Sequence, residues 1–159
     1  MTRKRSAYRP KPVISDPLSL LRPANREQHR AVMLRFHTAL GAMERGSHPG
    51  EAEWRDLSDA INTVETLALH LNKLHALEVM PTVTAAIAAM VQAANRFKAG
   101  QRMGLSGEGM QALRDVLAIY EACLEGLTEF EMAQAQAETQ RRVNAILQTR
   151  KSDSRVVML

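Results

Sequence analysis

Residues 51–71 read EAEWRDLSDAINTVETLALHL and have the most regular apolar spacing in the chain. Apolar side chains recur every three or four residues, which places them on one face of an α-helix. They are Trp54, Leu57, Ile61, Val64, Ala68 and Leu71. Acidic residues crowd the first turns, where negative charge complements the helix dipole. Further leucines at 67, 69, 74 and 77 widen the apolar stripe. The sequence therefore predicts a central helix that is contacted on more than one side.

Three further segments show the same helical spacing. The first follows Asn25, a predicted N-cap, and ends at the glycine- and proline-containing stretch 45–50. The next lies beyond Pro81, which marks a break or a helix start, and the third follows the glycine-rich loop 100–109. The apolar stripes are Met33, Phe36, Leu40 and Met43; Val83, Ile87, Met90, Ala94 and Phe97; and Met110, Leu113, Leu117, Tyr120, Leu124 and Leu127.

The last segment has a start signal but a thin stripe. Thr128 and Glu131 have the spacing of a capping box, just after Gly126, so the fourth helix either kinks there or restarts as a fifth. Its apolar positions are interrupted by Gln136 and Thr139. No segment alternates with the period of a strand. We therefore predict an all-α, up-and-down bundle of four to five helices.

Length and composition set the class of protein. The 159 residues, 45% of them apolar, suit one domain with its own core. A single cysteine permits no intramolecular disulfide, which is typical of a reducing compartment. Apolar runs break within about six residues, so no membrane span is expected. No long apolar segment follows the basic head, residues 1–12, so no secretory signal is expected. A cytoplasmic protein is predicted, with an arm at 1–23, a bundle at 24–150 and a tail at 151–159.

The net charge of +4 is unevenly distributed. Residues 1–12 carry +5 with no acidic residue, and residues 141–155 carry +4. Residues 13–140 therefore sum to −5. Basic ends of this kind are typical of arms that contact phosphate or an acidic protein surface, although they also aid solubility.

The sequence offers no catalytic constellation. Nucleotide-binding, metalloprotease and nucleophile-elbow motifs are absent. Cys123 lies in a helical apolar stretch, where a thiol behaves as a small hydrophobe. His75 and Glu78 are three residues apart, but a carboxylate-bundle metal site needs a second such pair, so His75 is expected to cap or flank the stripe of the second helix. We predict no enzyme activity, no catalytic residue, no metal and no cofactor.

The basic head is the strongest functional feature. Its cations can neutralise phosphates, its tyrosine can stack on a base, and its prolines favour an extended chain. Such contacts do not read sequence, so nucleic-acid binding is expected to be largely non-specific. The predicted site residues are Arg3, Lys4, Arg5, Tyr8, Arg9 and Lys11.

The segment Arg3-Lys4-Arg5-Ser6-Ala7-Tyr8-Arg9-Pro10-Lys11-Pro12 resembles the opening of a group of small uncharacterised proteins carried by phages and prophages of Gram-negative bacteria. A second similarity lies in the central helix, at Trp54, Leu57, Asn62, Glu65 and Leu67. The similarity as a whole covers about a third of the chain, and these two motifs carry it. The resemblance implies a helical body and a mobile-element context, in which handling nucleic acid and interfering with host defence are both natural functions.

Three functions remain open at the level of sequence. The first is a non-enzymatic accessory protein whose arm binds the nucleic-acid backbone. The second is an inhibitor or adaptor that binds a host protein through helix faces and the arm. The third is a bundle built mainly to form a homo-oligomer. Steep salt dependence distinguishes the first from the second, because phosphate contacts weaken strongly as salt rises.

Overall fold

The computed structural model describes residues 26–46 and 48–149, which form five α-helices without a strand. They are α1 (Arg26–Arg45), α2 (Glu51–Leu69), α3 (Ala76–Lys98), α4 (Gly107–Gly126) and α5 (Glu129–Thr149). The prediction of an all-α bundle is confirmed. The predicted domain boundaries at 23/24 and 150/151 fall outside the described residues and stay predictions.

Helix α2 is the centre of the bundle, as its sequence predicts. It packs against each of the other four helices. Every residue from Ala60 to Ala68 is buried, so this part of the helix has no solvent face. The indole Nε1 of Trp54 donates to the carbonyl oxygen of Met90 at 3.2 Å, which ties the start of α2 to α3. Large core side chains come from several helices: Phe36, Met43, Leu57, Ile61, Leu67, Met90, Leu113 and Leu117.

The loop between α3 and α4 closes the end of α1. Arg102 Nε donates to the Gly46 carbonyl at 2.9 Å, and its Nη2 donates to the carbonyls of Met43 and Glu44, both at 3.1 Å. The last carbonyls of a helix lack partners within the helix, and a cation there also complements the helix dipole. Met103 is fully buried beside this arginine and anchors the loop.

Small residues let α3 and α4 approach closely. A Cβ added to Gly109 in the first turn of α4 would lie 2.7 Å from the Cβ of Ala89. Only glycine fits there without moving one of the two helices. The small side chain of Ala89 permits this close packing of α3 against α4.

The connection between α2 and α3 differs from the prediction. Helix α2 ends at Leu69, and Asn72 adopts a left-handed φ of 51° in the connecting loop. Leu74 and Leu77 therefore do not widen the stripe of the second helix, and that expectation is wrong. Pro81 lies inside α3 rather than at its start. The carbonyl that its missing N–H would have bonded belongs to the exposed Leu77, where water can satisfy it.

Capping interactions mark the start of α4 and the start of α5. Ser106 Oγ accepts from the Gly109 N–H at 3.1 Å, so α4 begins inside the predicted glycine-rich loop. At the other end the helix restarts rather than kinks. Thr128 and Glu131 form the predicted capping box: the Thr128 N–H donates to Glu131 Oε2 at 3.0 Å, and the Glu131 N–H donates to Thr128 Oγ1 at 3.2 Å.

Helix α3 is long and apolar enough to cross a membrane by length and composition alone. The expectation that no segment approaches this length is wrong, because the charges of α3 lie only at its ends. This is weak evidence for a membrane, since core helices of soluble proteins pass the same test. One side of α3 is buried in the bundle through Val83, Ala86 and Met90.

Candidate functional site

The basic head lies outside the described residues. The predicted site residues all lie in this part of the chain, so the structure does not test them. They are Arg3, Lys4, Arg5, Tyr8, Arg9 and Lys11. Their role stays a prediction. The predicted N-cap Asn25 is also outside the description, next to the observed start of α1 at Arg26.

The first described segment along the chain is the start of α1. Arg26 and Arg30 are both exposed and lie four residues apart, so they share one face of the helix. Neither forms an ion pair with another residue of the described ranges. Arg35, one turn further on, is already engaged: its Nε lies 3.3 Å from Asp56 Oδ1, and its guanidinium lies 5.1 Å from the Phe36 ring centre.

Charge separates sharply along the chain. Residues 1–45 contain ten lysines or arginines and three acidic residues, for a net charge of +7. Residues 46–149 contain eight basic and thirteen acidic residues, for a net charge of −5. The end of α1 is thus the boundary between a basic region, residues 1–45, and an acidic body, residues 46–149.

The most developed polar cluster of the bundle joins α2 to α5. Glu65 is completely buried on α2, and its Oε2 lies 3.2 Å from Nη2 of Arg142 on α5. The arginine side chain is only 11% exposed. A carboxylate at such a position requires a cation or several hydrogen bonds, because moving an isolated charge out of water is costly.

Two threonines extend this ion pair into a network. Thr66 Oγ1 donates to the Asn62 carbonyl at 2.8 Å and accepts from Arg142 Nη1 at 3.1 Å. Thr139 Oγ1 lies 2.8 Å from Thr66 Oγ1 and also 2.8 Å from the carbonyl of Ala135. The buried hydroxyls and the guanidinium therefore satisfy one another across the two helices.

This network holds α5 in place and has no access for a substrate. Glu65 and Thr66 are both completely buried, and Thr139 is nearly so. Helix α5 packs chiefly against α2 and buries only a few apolar side chains, so polar contacts fix its register. We interpret the cluster as structural rather than catalytic.

A second polar contact fixes the other end of α5. Lys73 Nζ lies 2.6 Å from Glu131 Oε1. This hydrogen bond, together with those from Thr128, lowers the pKa of Glu131 to about 2. The same carboxylate thus caps α5 and ties it to the loop after α2.

The carboxylate of Glu53 caps the start of α2. Glu53 accepts from the Gly50 N–H at 2.9 Å. Hydrogen bonds from the backbone N–H groups of Glu53 itself and of Gly50 lower the pKa of Glu53. Glu53 therefore caps α2 as Glu131 caps α5.

The remaining chemically interesting side chains have structural surroundings. Cys123 is buried, and burial raises the pKa of its thiol to about 11, so it is protonated at neutral pH. Tyr120 packs edge-on against Phe36, with ring centres 5.1 Å apart, and burial also raises its pKa. No group of three metal-ligating side chains occurs within 26–46 and 48–149.

His75 differs from its predicted position. It is the exposed N-cap residue of α3, and its side chain makes no capping hydrogen bond. Its backbone carbonyl instead accepts from the N–H groups of Glu78 and Val79. The expectation that it caps or flanks the stripe of the second helix is wrong, because α2 ends six residues before it.

Two of the C-terminal cations are engaged within the bundle. Arg142 pairs with Glu65, and Arg141 lies 2.6 Å from Glu138, three residues before it. Sequence reasoning missed the Glu65–Arg142 pair. Its only signal was a carboxylate between the apolar residues Val64 and Leu67.

No protein-family model, curated protein or solved structure matches the chain. The similarity to phage and prophage proteins therefore stays an expectation. The central-helix residues on which it rests are all buried: Trp54, Leu57, Asn62, Glu65 and Leu67.

Proposed function

We propose that the chain is a non-enzymatic binding protein whose basic head contacts the nucleic-acid backbone largely without sequence preference. The observation that carries this proposal is the charge separation: +7 in residues 1–45 against −5 in residues 46–149. A polyanion is attracted to the first region and repelled by the second.

The start of α1 supports the proposal from the described side. Arg26 and Arg30 present two exposed cations on one face of α1, the first described helix of the chain. The bundle then acts as an acidic body that confines nucleic-acid contact to the basic head and the first turns of α1.

The proposed cellular role is that of a phage- or prophage-type accessory protein in the cytoplasm of a bacterial host. The head's resemblance to phage and prophage proteins supports this role. Non-specific binding through phosphates requires neither a cofactor nor a catalytic residue.

Removal of residues 1–12 tests the proposal. Five cations are lost, so the slope of log K against log salt on duplex DNA should fall by up to about 4–5. The melting temperature should change little. Tyr8→Ala should matter more on single strands, where stacking contributes about 1–3 kcal/mol per base.

Substitutions in the described helices provide a matched comparison. The double variant Arg26→Gln with Arg30→Gln should lower the slope by about 2 on duplex DNA. Arg55→Gln, an exposed arginine of the acidic body, should leave the slope unchanged because it pairs with Glu51. Equal affinities and equal slopes for the full-length and truncated proteins would contradict the proposal.

Exposed apolar side chains favour protein binding as the second candidate function. Leu34 and Phe130 remain 68% and 50% exposed, on α1 and α5 respectively. A host protein that binds these faces should be recovered by affinity capture with and without nuclease. Loss of all captured protein after nuclease treatment would instead favour the nucleic-acid proposal.

A further inference from the structure

Helix α3 has a second helical stripe, on the side that faces away from the bundle. Its members are separated by four, three, four, three and four residues, which places them on one narrow face. They are Leu77, Pro81, Thr84, Ala88, Val91 and Asn95, all exposed. Leu77 is 94% exposed and Val91 is 44% exposed.

This outer face is uncharged along most of its length. No charged residue occurs from Val79 to Asn95, nearly five turns of helix. Helix α3 packs chiefly against α2 and α4, and no described helix covers the outer stripe. An exposed helix face of this length without charge is unusual for a surface that only meets water.

Charges at the two ends of α3 indicate what would cover it. Glu78 lies near the first turn, whereas Arg96 and Lys98 lie in the last turn. Glu78 and Arg96 are eighteen residues apart, which is five full turns, so they lie on the same side of the stripe. An antiparallel second copy of α3 would place each Glu78 at the level of the other copy's Arg96.

We propose that the outer face of α3 forms a homodimer interface, in which α3 of one copy packs antiparallel against α3 of a second copy. The two-fold axis lies near residues 86–87, so Thr84 of one copy lies opposite Ala88 of the other. Small side chains at this crossing allow the helix axes to approach closely. The same face serves both copies, as a two-fold interface requires.

Sedimentation of the full-length protein over about 5–500 µM tests the proposal. The wild type should show a concentration-dependent monomer–dimer equilibrium. Ala88→Glu places a carboxylate at the crossing of both copies and should raise the dimer Kd by about 10- to 100-fold. Ala118→Glu, the same change at an exposed position of α4, should leave the Kd unchanged.

A charge reversal tests the direction of the pairing. Glu78→Arg should weaken the dimer at low salt, and adding Arg96→Glu to the same chain should restore it. Arg96 also donates to the Gly104 carbonyl at 3.0 Å, but loss of that bond cannot produce a rescue. Circular dichroism of each variant checks that the bundle is intact.

Cysteine pairs test the register. A mixture of Thr84→Cys and Ala88→Cys proteins should form disulfides between the two variants faster than either variant forms them alone. A wild type that is monomeric throughout the range would overturn the proposal. So would a dimer that Ala88→Glu leaves intact, or a monomer that binds lipid vesicles through this face.

Discussion

Replacement of Arg142 by methionine is expected to destabilise the bundle strongly. The change keeps most of the apolar stem but removes the guanidinium that lies 3.2 Å from the buried Glu65 carboxylate. Removing one partner of a buried ion pair typically costs about 3–5 kcal/mol. Since 11% of the arginine side chain reaches solvent, we expect a loss near the lower end, about 3 kcal/mol.

The loss of stability in Arg142→Met should depend on the presence of the buried Glu65 carboxylate. The double variant Glu65→Leu with Arg142→Met replaces the pair by apolar side chains, which is often nearly neutral. The double variant should therefore be more stable than the sum of the single losses implies, by about 1–3 kcal/mol of coupling free energy. Urea denaturation of the four proteins in the cycle measures this coupling.

The neighbouring arginine is the matched control. Arg141 is exposed and pairs only with Glu138 on its own helix, so Arg141→Met should leave the free energy of unfolding nearly unchanged. Equal losses for Arg141→Met and Arg142→Met, or a coupling free energy near zero, would refute the conclusion that the buried pair fixes α5.

The other stability predictions concern the core, the α1 cap and acid sensitivity. Trp54→Ala should lower the free energy of unfolding by about 3–5 kcal/mol in urea denaturation, because it leaves a cavity in the core and removes the hydrogen bond to Met90. The exposed Leu34→Ala is its control and should lower it by less than about 0.5 kcal/mol. Arg102→Ala should lower the free energy of unfolding by about 1–2 kcal/mol, because three carbonyls at the end of α1 lose a charged donor. The exposed Lys98→Ala is its control, and equal losses for the two variants would argue against the cap. Glu131→Gln can keep the capping geometry but loses the ion pair. Because the folded pKa of Glu131 is lowered from 4.5 to about 2, its ionic contribution is present above pH 4.5 and disappears as the pH falls towards 2. The stability difference from wild type should therefore shrink across this window in urea titrations, and a constant difference would contradict the assignment.

Much of the fold could be predicted because apolar spacing records which face of a helix is buried. The stripes after Asn25 and around Ile61 located α1 and α2, and the Thr128–Glu131 spacing located the restart of α5. The end of α2 could not be read in the same way. Leu74 and Leu77 continue the apolar run, yet residues 70–75 form a loop between the two helices, in which Asn72 adopts a left-handed φ.

The polar junction between α2 and α5 lay beyond sequence reasoning for a physical reason. Amphipathic patterns assign polar residues to solvent, so Glu65 and Thr139 indicated an outward face. The burial of Glu65 depends on Arg142, which lies 77 residues from it in the chain, and Thr139 bonds Thr66 across the same junction. Thr139 interrupts the apolar stripe of α5, and its hydroxyl is one of the groups that hold α5 against α2.

The cap that Arg102 places on α1 has a consequence for the order in which the bundle is completed. Arg102 bonds carbonyls that precede it by 56 to 59 residues. During synthesis both α1 and α2 leave the ribosome before this arginine, because domains emerge from the N-terminus onward. The carbonyls at the end of α1 therefore remain hydrated until the loop after α3 has been synthesised and Arg102 can bond them. A nascent chain that stops before residue 102 would leave the end of α1 uncapped, and capping of α1 would report that the loop after α3 has docked.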